Sequence, residues 1–214
     1  MQCVVQRGAM GRGPSGSRLV LYIWGVCGHG GHYRPVTGAR CILDSMLAAL
    51  PLPASDLGTH LTLATMRGMA TRDAMMPLVR LTASGIVMGL GGKDGFEQAQ
   101  AIREYVAQHT EFLRDPDTVE MLHSPVWQLR QIQQRGIVQV DCDDVAMLAA
   151  ALGKSIGLRA RFVAVAFDGA NAPFRHVWAE LSPRMVNAWV DVDTTRPAQA
   201  LDSLRVSRAI VKDV

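Results

Sequence analysis

At 214 residues the chain is long enough for one well-filled core with an appendage, or for two small domains, and a single domain is the expected arrangement. Hydrophobic residues make up 49% and charged residues 19%, which excludes bulk disorder, and no apolar run approaches the roughly 20 residues needed to span a bilayer. The net charge of +3 resides in residues 1–58, where five arginines face Asp44 and Asp56, so the body is neutral and lacks the basic field that would recruit nucleic acid.

Residues 1–18 are rich in Gly, Arg and Ser without a hydrophobic period and read as an unstructured leader. Residues 19–26 have the apolar character of a signal-peptide core, but small residues do not occupy the places before Cys27 that a cleavage site needs. Cys3, Cys27 and Cys41 fall in the first quarter and Cys142 stands alone in the body, which is no disulfide framework. Cys27, His29, His32 and Cys41 match no zinc spacing, so no metal is expected. A short helix over 43–50, ended by Pro51 and Pro53, leads to a boundary near Asp56. Residues 1–56 are therefore expected to be a poorly structured extension and residues 57–214 one domain.

Within that domain the alternation of H-L-T-L-A over 60–64 predicts a short strand, and residues 69–88 predict one helix ended by Gly89, Gly91 and Gly92. A second helix from Gly95 places Phe96, Ala99, Ile102 and Val106 on one face. Asp117 and Glu120 form a D-x-x-E capping pair for a short helix ending near His123. Ser124 and Pro125 then give an N-cap and an N1 proline for a helix that buries Val126, Leu129 and Ile132 and stops at Gly136.

The stretch Q-V-D-C-D-D-V-A-M-L-A-A-A-L, residues 139–152, opens the next helix, with Val145, Leu148, Ala149, Leu152 and Ile156 at helical spacing. Cys142 lies at its first turn, where free backbone N–H groups and the helix dipole lower a thiol's pKa, while Asp141, Asp143 and Asp144 raise it. Two readings of this stretch stand side by side: a nucleophile offset by some cation, or a small buried hydrophobe among capping aspartates. One aspartate is expected to cap the helix and another to bind a neighbouring backbone or arginine.

Residues 159–167 read as a strand, residues 168–173 as a turn, and residues 176–181 and 187–193 as two more strands. A turn centred between Arg184 and Met185 makes His176 face Asp193, Trp178 face Asp191 and Glu180 face Trp189. Opposed Cβ atoms lie about 4.5–5.5 Å apart, within reach of an imidazole–carboxylate hydrogen bond. Val177, Ala179, Leu181, Ala188, Val190 and Val192 then share the buried face, which fixes the parity of the pairing. Helices first and antiparallel strands second make an α+β fold with helices packed on one sheet.

A cysteine at a helix start, a histidine on one strand and an aspartate on the next are the parts of thiol acyl-transfer chemistry. Cys142 attacks a carboxamide, His176 carries the proton and supplies positive charge, and Asp193 orients the ring. The backbone N–H of Cys142 and one of Gln139, Gln134 or Trp127 are the oxyanion donors. Trp178 and Trp189 are candidates for a substrate groove.

D-C-D-D-V-A-M-L-A-A-A-L-G-K-S-I-G-L-R-A-R, then F-R-H-V-W-A-E, then W-V-D-V-D-T-T resembles the transglutaminase core superfamily, with Cys142, His176 and Asp193 matching its nucleophile, base and aspartate. S-P-V-W-Q-L, D-C-D-D and L-T-L-A-T-M resemble the small versions of tailed phages and prophages. The resemblance covers residues 57–197, strongest over 138–195, and departs at Thr194, where the family often has proline. It implies a papain-like, transglutaminase-core domain over 57–214 that forms a thioester from a glutamine side chain or peptide amide, with an amine or water as acceptor and no cofactor. The expected partners are a protein or peptide substrate and, in a phage setting, virion or assembly components. The expected location is the bacterial cytoplasm or the virion rather than a secreted one. The rival expectation is a phage structural or assembly protein that keeps the fold without catalysis.

Overall fold

The computed structural model describes residues 19–25, 41–42, 45–53, 55–90, 94–115, 119–195 and 206–214. Helices α1 (Asp56–Asp73), α2 (Pro77–Val87), α3 (Gly95–His109) and α4 (Pro125–Arg135) precede a central helix, α5 (Cys142–Ser155). Strands β1 (Leu19–Gly25), β2 (Cys41–Ile42), β3 (Ser45–Leu52), β4 (Thr110–Phe112), β5 (Val119–His123) and β6 (Val138–Val140) lie before or among the helices. β7 (Arg159–Phe167), β8 (Phe174–Ser182), β9 (Val190–Val192) and β10 (Val206–Asp213) follow. They form an antiparallel sheet in the order β10-β7-β8-β9. The fold is α+β, with helices N-terminal to an antiparallel sheet.

The core is built around α5, which buries every residue from Asp143 to Gly153 and so has no solvent face. It packs against α1, α2, α3 and α4 and against β7 and β8. Small residues allow this crowding: Ala146, Ala149, Ala150 and Ala151 are fully buried, and a Cβ added at Gly153 would stand 2.5 Å from Cδ2 of Leu181 on β8. The inner sheet face contributes Phe162, Ala164, Val177, Ala179, Leu181 and Val192 to the same core. On the outer face Val163, Val165 and Phe167 form a second cluster with Trp178.

The caps of α3, α4 and α5 follow the sequence. Asp94 accepts from the Phe96 N–H at 2.9 Å, and Ser124 accepts from the Trp127 N–H at 3.2 Å ahead of Pro125. Gly136 ends α4 at φ 84°, a left-handed conformation that glycine adopts without a Cβ penalty.

Other expectations are corrected. The strand expected over 60–64 is the interior of α1, where Thr62, Leu63, Met66, Met69, Ala70 and Asp73 are buried at helical spacing, a longer pattern than the five-residue alternation. The single helix expected over 69–88 is broken at residues 74–76, because Pro77 cannot continue α1 and instead begins α2. The short helix expected before His123 is β5, which pairs in parallel with β1 from Val20↔Val119 to Trp24↔His123. A strand partner overrides local capping there, and the Asp117 side of the capping pair lies outside the described residues. The helix expected over 43–50 is β3, antiparallel to β1 from Leu19↔Leu52 to Gly25↔Met46. Residues 19–25 and 45–52 thus carry strands where a poorly structured extension was expected, because L-V-L-Y-I-W supplies β-branched and aromatic residues and β5 supplies an edge. The leader at 1–18 and the Cys27, His29, His32 group lie outside the described residues.

The final hairpin is shifted by two residues. Ala179 pairs with Val192, Glu180 with Asp191 and Leu181 with Val190, so Glu180 does not face Trp189. The turn does centre on Arg184 and Met185, with the Val186 N–H donating to Pro183, but residues 187–189 extend the loop instead of the strand. Ser182 Oγ and Arg159 both donate to the Val186 carbonyl and stabilise that longer loop. An even shift keeps parity, so Val177, Ala179, Leu181 and Val192 remain buried, Val190 is half-buried, and Ala188 is exposed in the loop.

Candidate active site

Asp141 starts α5. Its backbone is extended, and its Oδ1 accepts the N–H groups of Asp143 at 3.2 Å and Asp144 at 3.4 Å. Cys142 is therefore the first helical residue, as the sequence requires. Its sulfur accepts the backbone N–H of Val177 and donates to Oδ1 of Asp143 at 3.6 Å. Val177 follows His176 on β8, so the sulfur's backbone partner is the residue next to the histidine. His176 is buried and its Nε2 donates to Oδ2 of Asp193 at 2.6 Å, the pairing expected from the hairpin although the two residues are no longer directly opposed. Asp193 lies just past β9, one residue beyond its last ladder pair. Its second oxygen, Oδ1, accepts the Thr195 N–H at 3.2 Å and the Thr195 hydroxyl at 3.0 Å. Burial works against the Asp193 carboxylate, but the His176 bond and charge and the two Thr195 donors outweigh it and hold the pKa below the usual carboxylate value.

The thiol is the site's main departure from expectation. Burial raises its pKa, Asp141 and Glu120 add to that, and the Val177 N–H and Asp143 oppose it too weakly, so it is pushed up to about 12. In this arrangement Cys142 is a neutral thiol.

Each aspartate of D-C-D-D has a separate partner. Asp141 is the cap, its pKa pushed up to about 9 by burial and then by Asp144, Asp115 and Glu120. Asp143 is buried against Glu120, and burial together with the Glu120 charge raises its pKa well above the carboxylate range. Asp144 accepts both the backbone N–H and Nδ1 of His123 at 2.6 Å. Burial raises the Asp144 pKa over the opposing effect of His123. Burial also works against the His123 imidazolium, but Asp144 and Asp115 outweigh it and raise its pKa. Burial pushes Asp115 up to about 6, against the Met121 N–H that it accepts.

This second histidine–aspartate pair was missed by sequence reasoning. Its available signal was His123 placed just before the Ser124 cap, but only the parallel pairing of β5 brings that residue to the first turn of α5. Gln128, fully buried, ties the same corner together by donating from Nε2 to the carbonyls of His123 and Asp144, both at 2.9 Å.

The three oxyanion candidates are placed differently. Gln139 is exposed on β6 with its amide donating to Glu111 at 3.2 Å, and Gln134 is exposed near the far end of α4. Trp127, in the first turn of α4, stacks on His123 with ring centroids 4.4 Å apart, and its indole N–H has no acceptor among the described residues. Of the groove candidates, Trp178 lies beside His176, ring centroids 5.8 Å apart, and its N–H points to Glu180 at 3.4 Å. Trp189 is covered by Arg161 at 4.0 Å and Arg159 at 4.8 Å. Those arginines pair with the Glu180–Ser182 end of β8, whereas Val165 pairs with His176, so Trp189 is roughly 13 Å or more along the sheet from the histidine. Among the described residues no group of three or more His, Cys, Asp and Glu side chains could hold a metal ion, and no helix is long and apolar enough to cross a membrane.

The family model of the transglutaminase-like superfamily matches residues 85–194, just over half of the chain, a span that contains Cys142, His176 and Asp193. No curated protein matches the chain. Among solved structures, "a Putative Cysteine Protease from Cytophaga hutchinsonii" is similar at a TM-score of 0.42 and 19% identity, over 61% of this chain and 41% of that one. The similar part thus spans about two fifths of that protein's length.

Proposed function

The chain belongs to the transglutaminase-like superfamily, and from that premise we propose that it is a cysteine-dependent acyltransferase acting on glutamine side-chain or peptide amides through a thioester. The observation that carries the reading is the buried His176–Asp193 pair, next along β8 to Val177, whose N–H meets the thiol at the first turn of α5. Because Cys142 is neutral at rest, His176 acts as a general base rather than as half of a preformed ion pair. Nε2 is committed to Asp193, which leaves Nδ1 for the thiol proton. Sγ bonds to the carboxamide carbon as its proton passes to Nδ1, and the carbonyl electrons move onto oxygen. The backbone N–H of Cys142 and the indole N–H of Trp127 receive that oxyanion. Collapse expels ammonia or an amine, which leaves with the proton held by His176, and an amine or water then resolves the thioester. Trp178, beside His176, lines the approach. The proposed steps use side chains and backbone alone. Residues 57–214 form the unit that carries the activity, and the D-C-D-D spelling supports placing it with the small phage and prophage versions, in a bacterial cytoplasm or a virion, acting on a protein or peptide.

The raised thiol pKa favours a second reading, a phage structural or assembly protein whose site residues are idle. The two are separated by ammonia release from an N-blocked glutaminylglycine peptide, with and without an added primary amine. Cys142→Ala abolishes release, and His176→Ala lowers it by roughly a hundredfold or more, with unchanged circular dichroism. Wild-type protein that releases no ammonia, or Cys142→Ala protein that still does, overturns the acyltransferase.

A further inference from the structure

A histidine–aspartate pair works only if the carboxylate keeps one oxygen on the ring. A side-chain carboxylate turns easily, because the torsion that carries it is broad and roughly two-fold. Asp193 lies beyond the end of β9, so no ladder partner restrains it. What restrains it is Thr195. The Thr195 N–H reaches Oδ1 at 3.2 Å and the Thr195 hydroxyl reaches the same oxygen at 3.0 Å, while Oδ2 is left to His176 Nε2 at 2.6 Å. The backbone bond alone is the common aspartate turn and leaves rotation possible. The added hydroxyl converges on the same oxygen, which sits in a buried side chain where a lost donor is not replaced by water.

We propose that Thr195 is a positioning residue for catalysis: its hydroxyl locks Oδ1 of Asp193, which commits Oδ2 to His176 Nε2 and so presents Nδ1 to the Cys142 thiol. The inference rests on the acyl-transfer reading of this site and adds a residue to it. Thr195 touches neither the sulfur nor the substrate, and acts through Asp193. Its hydroxyl also stabilises the carboxylate form that an imidazolium needs as its partner during the reaction, in line with the lowered Asp193 pKa.

The test compares wild type, Thr195→Val, which keeps the shape and loses the hydroxyl, and Thr195→Ser, which keeps the hydroxyl. Thr195→Ala is the second variant where valine disturbs folding. Two quantities are read: the kinetics of ammonia release from the N-blocked glutaminylglycine peptide, and the downfield proton resonance of His176 Nε2–H. Thr195→Val lowers kcat by roughly five- to tenfold with KM within about twofold of wild type, and moves the Nε2–H resonance upfield. Thr195→Ser restores both. An unchanged kcat and resonance in Thr195→Val overturns the proposal, as does a Thr195→Ser protein impaired as much as the valine variant. Wild-type protein without turnover overturns the acyl-transfer reading and this catalytic role with it, whereas the resonance shift reports the Thr195 lock independently of turnover.

Discussion

At the scale of single residues, the question is the charge of Cys142. Local sequence places it where a helix dipole favours a thiolate, and the same sequence sets three carboxyl groups around it. Burial in the fold has the largest effect, Asp141 of the motif adds to it, and Glu120 from β5 adds further. The burial and Glu120 cannot be read from D-C-D-D. The His176–Asp193 pair, by contrast, was legible, because strand parity depends only on the alternation of apolar residues. The charge state leads to a kinetic expectation. With a thiol pKa raised from 9.0 to about 12, the thiolate fraction at pH 8 is lower than that of free cysteine, so iodoacetamide modifies Cys142 more slowly than it modifies glutathione and the rate still climbs at pH 10. Asp141 carries its charge above about pH 9, so Asp141→Asn, which keeps an oxygen for the helix cap, raises the rate at pH 10. Rapid modification of wild type at pH 6–7 would show that a thiolate–imidazolium pair is already formed at rest, contrary to the general-base route.

At the scale of elements, most of the domain's helices were visible because each carried its own punctuation: Ser124 and Pro125 for α4, Asp141 for α5, and a glycine at the end of α4. Two misreadings were local, the five-residue alternation inside α1 and the break before Pro77, and the others have a partner distant in sequence. β5 needs β1, about a hundred residues earlier, and the late start of β9 depends on hydrogen bonds from Arg159 and Ser182 to the loop. The packing of α5 on β8 was also invisible, since nothing local distinguishes a tolerated glycine from a required one. Two substitutions separate these cases. Gly85 lies in exposed α2 with no atom within 4 Å of an added Cβ, so Gly85→Ala stabilises by about 0.5–1 kcal/mol through helix propensity alone. Gly153→Ala gains the same propensity, but its methyl enters the fully buried Leu181 side chain, at 2.5 Å from Cδ2 and 3.3 Å from Cγ. Overpacking costs about 1–3 kcal/mol, which exceeds the gain, so the variant is destabilised by about 1 kcal/mol in urea unfolding. Opposite signs for the two glycines are the expected result; equal gains would mean that Leu181 yields freely.

At the scale of the whole molecule, the site's carboxyl groups set how stability varies with pH. Asp141, pushed up to about 9, Asp115, pushed up to about 6, and Asp143 and Asp144, also raised, all hold protons more tightly in the folded chain than in the unfolded one. For such groups the stabilising contribution is fully present below the unfolded value near 3.8 and is lost as pH rises through each folded value. His123 acts in the same direction: its raised pKa favours the fold below 6.5 and ceases to do so above the folded value. Asp193 acts oppositely, because its lowered pKa contributes above 3.8 and is lost in stronger acid. Four raised carboxyl groups and one histidine outweigh a single lowered carboxyl, so the fold is most stable at mildly acidic pH and loses a few kcal/mol on the way to pH 9. Both groups contribute to the loss from about pH 4 upward, Asp115 until about pH 6 and Asp141 until about pH 9. Thermal unfolding followed by circular dichroism from pH 4 to 9 should therefore show a Tm that declines above about pH 5. Asp141→Asn removes the contribution that extends toward pH 9 without removing the cap acceptor, so its Tm curve flattens between pH 7 and 9 and falls less steeply below that. A wild-type Tm that holds level or rises from pH 5 to 9 would mean that these carboxyl groups ionise in the fold as freely as in the unfolded chain, and that the acidic ring around the thiol is open to water.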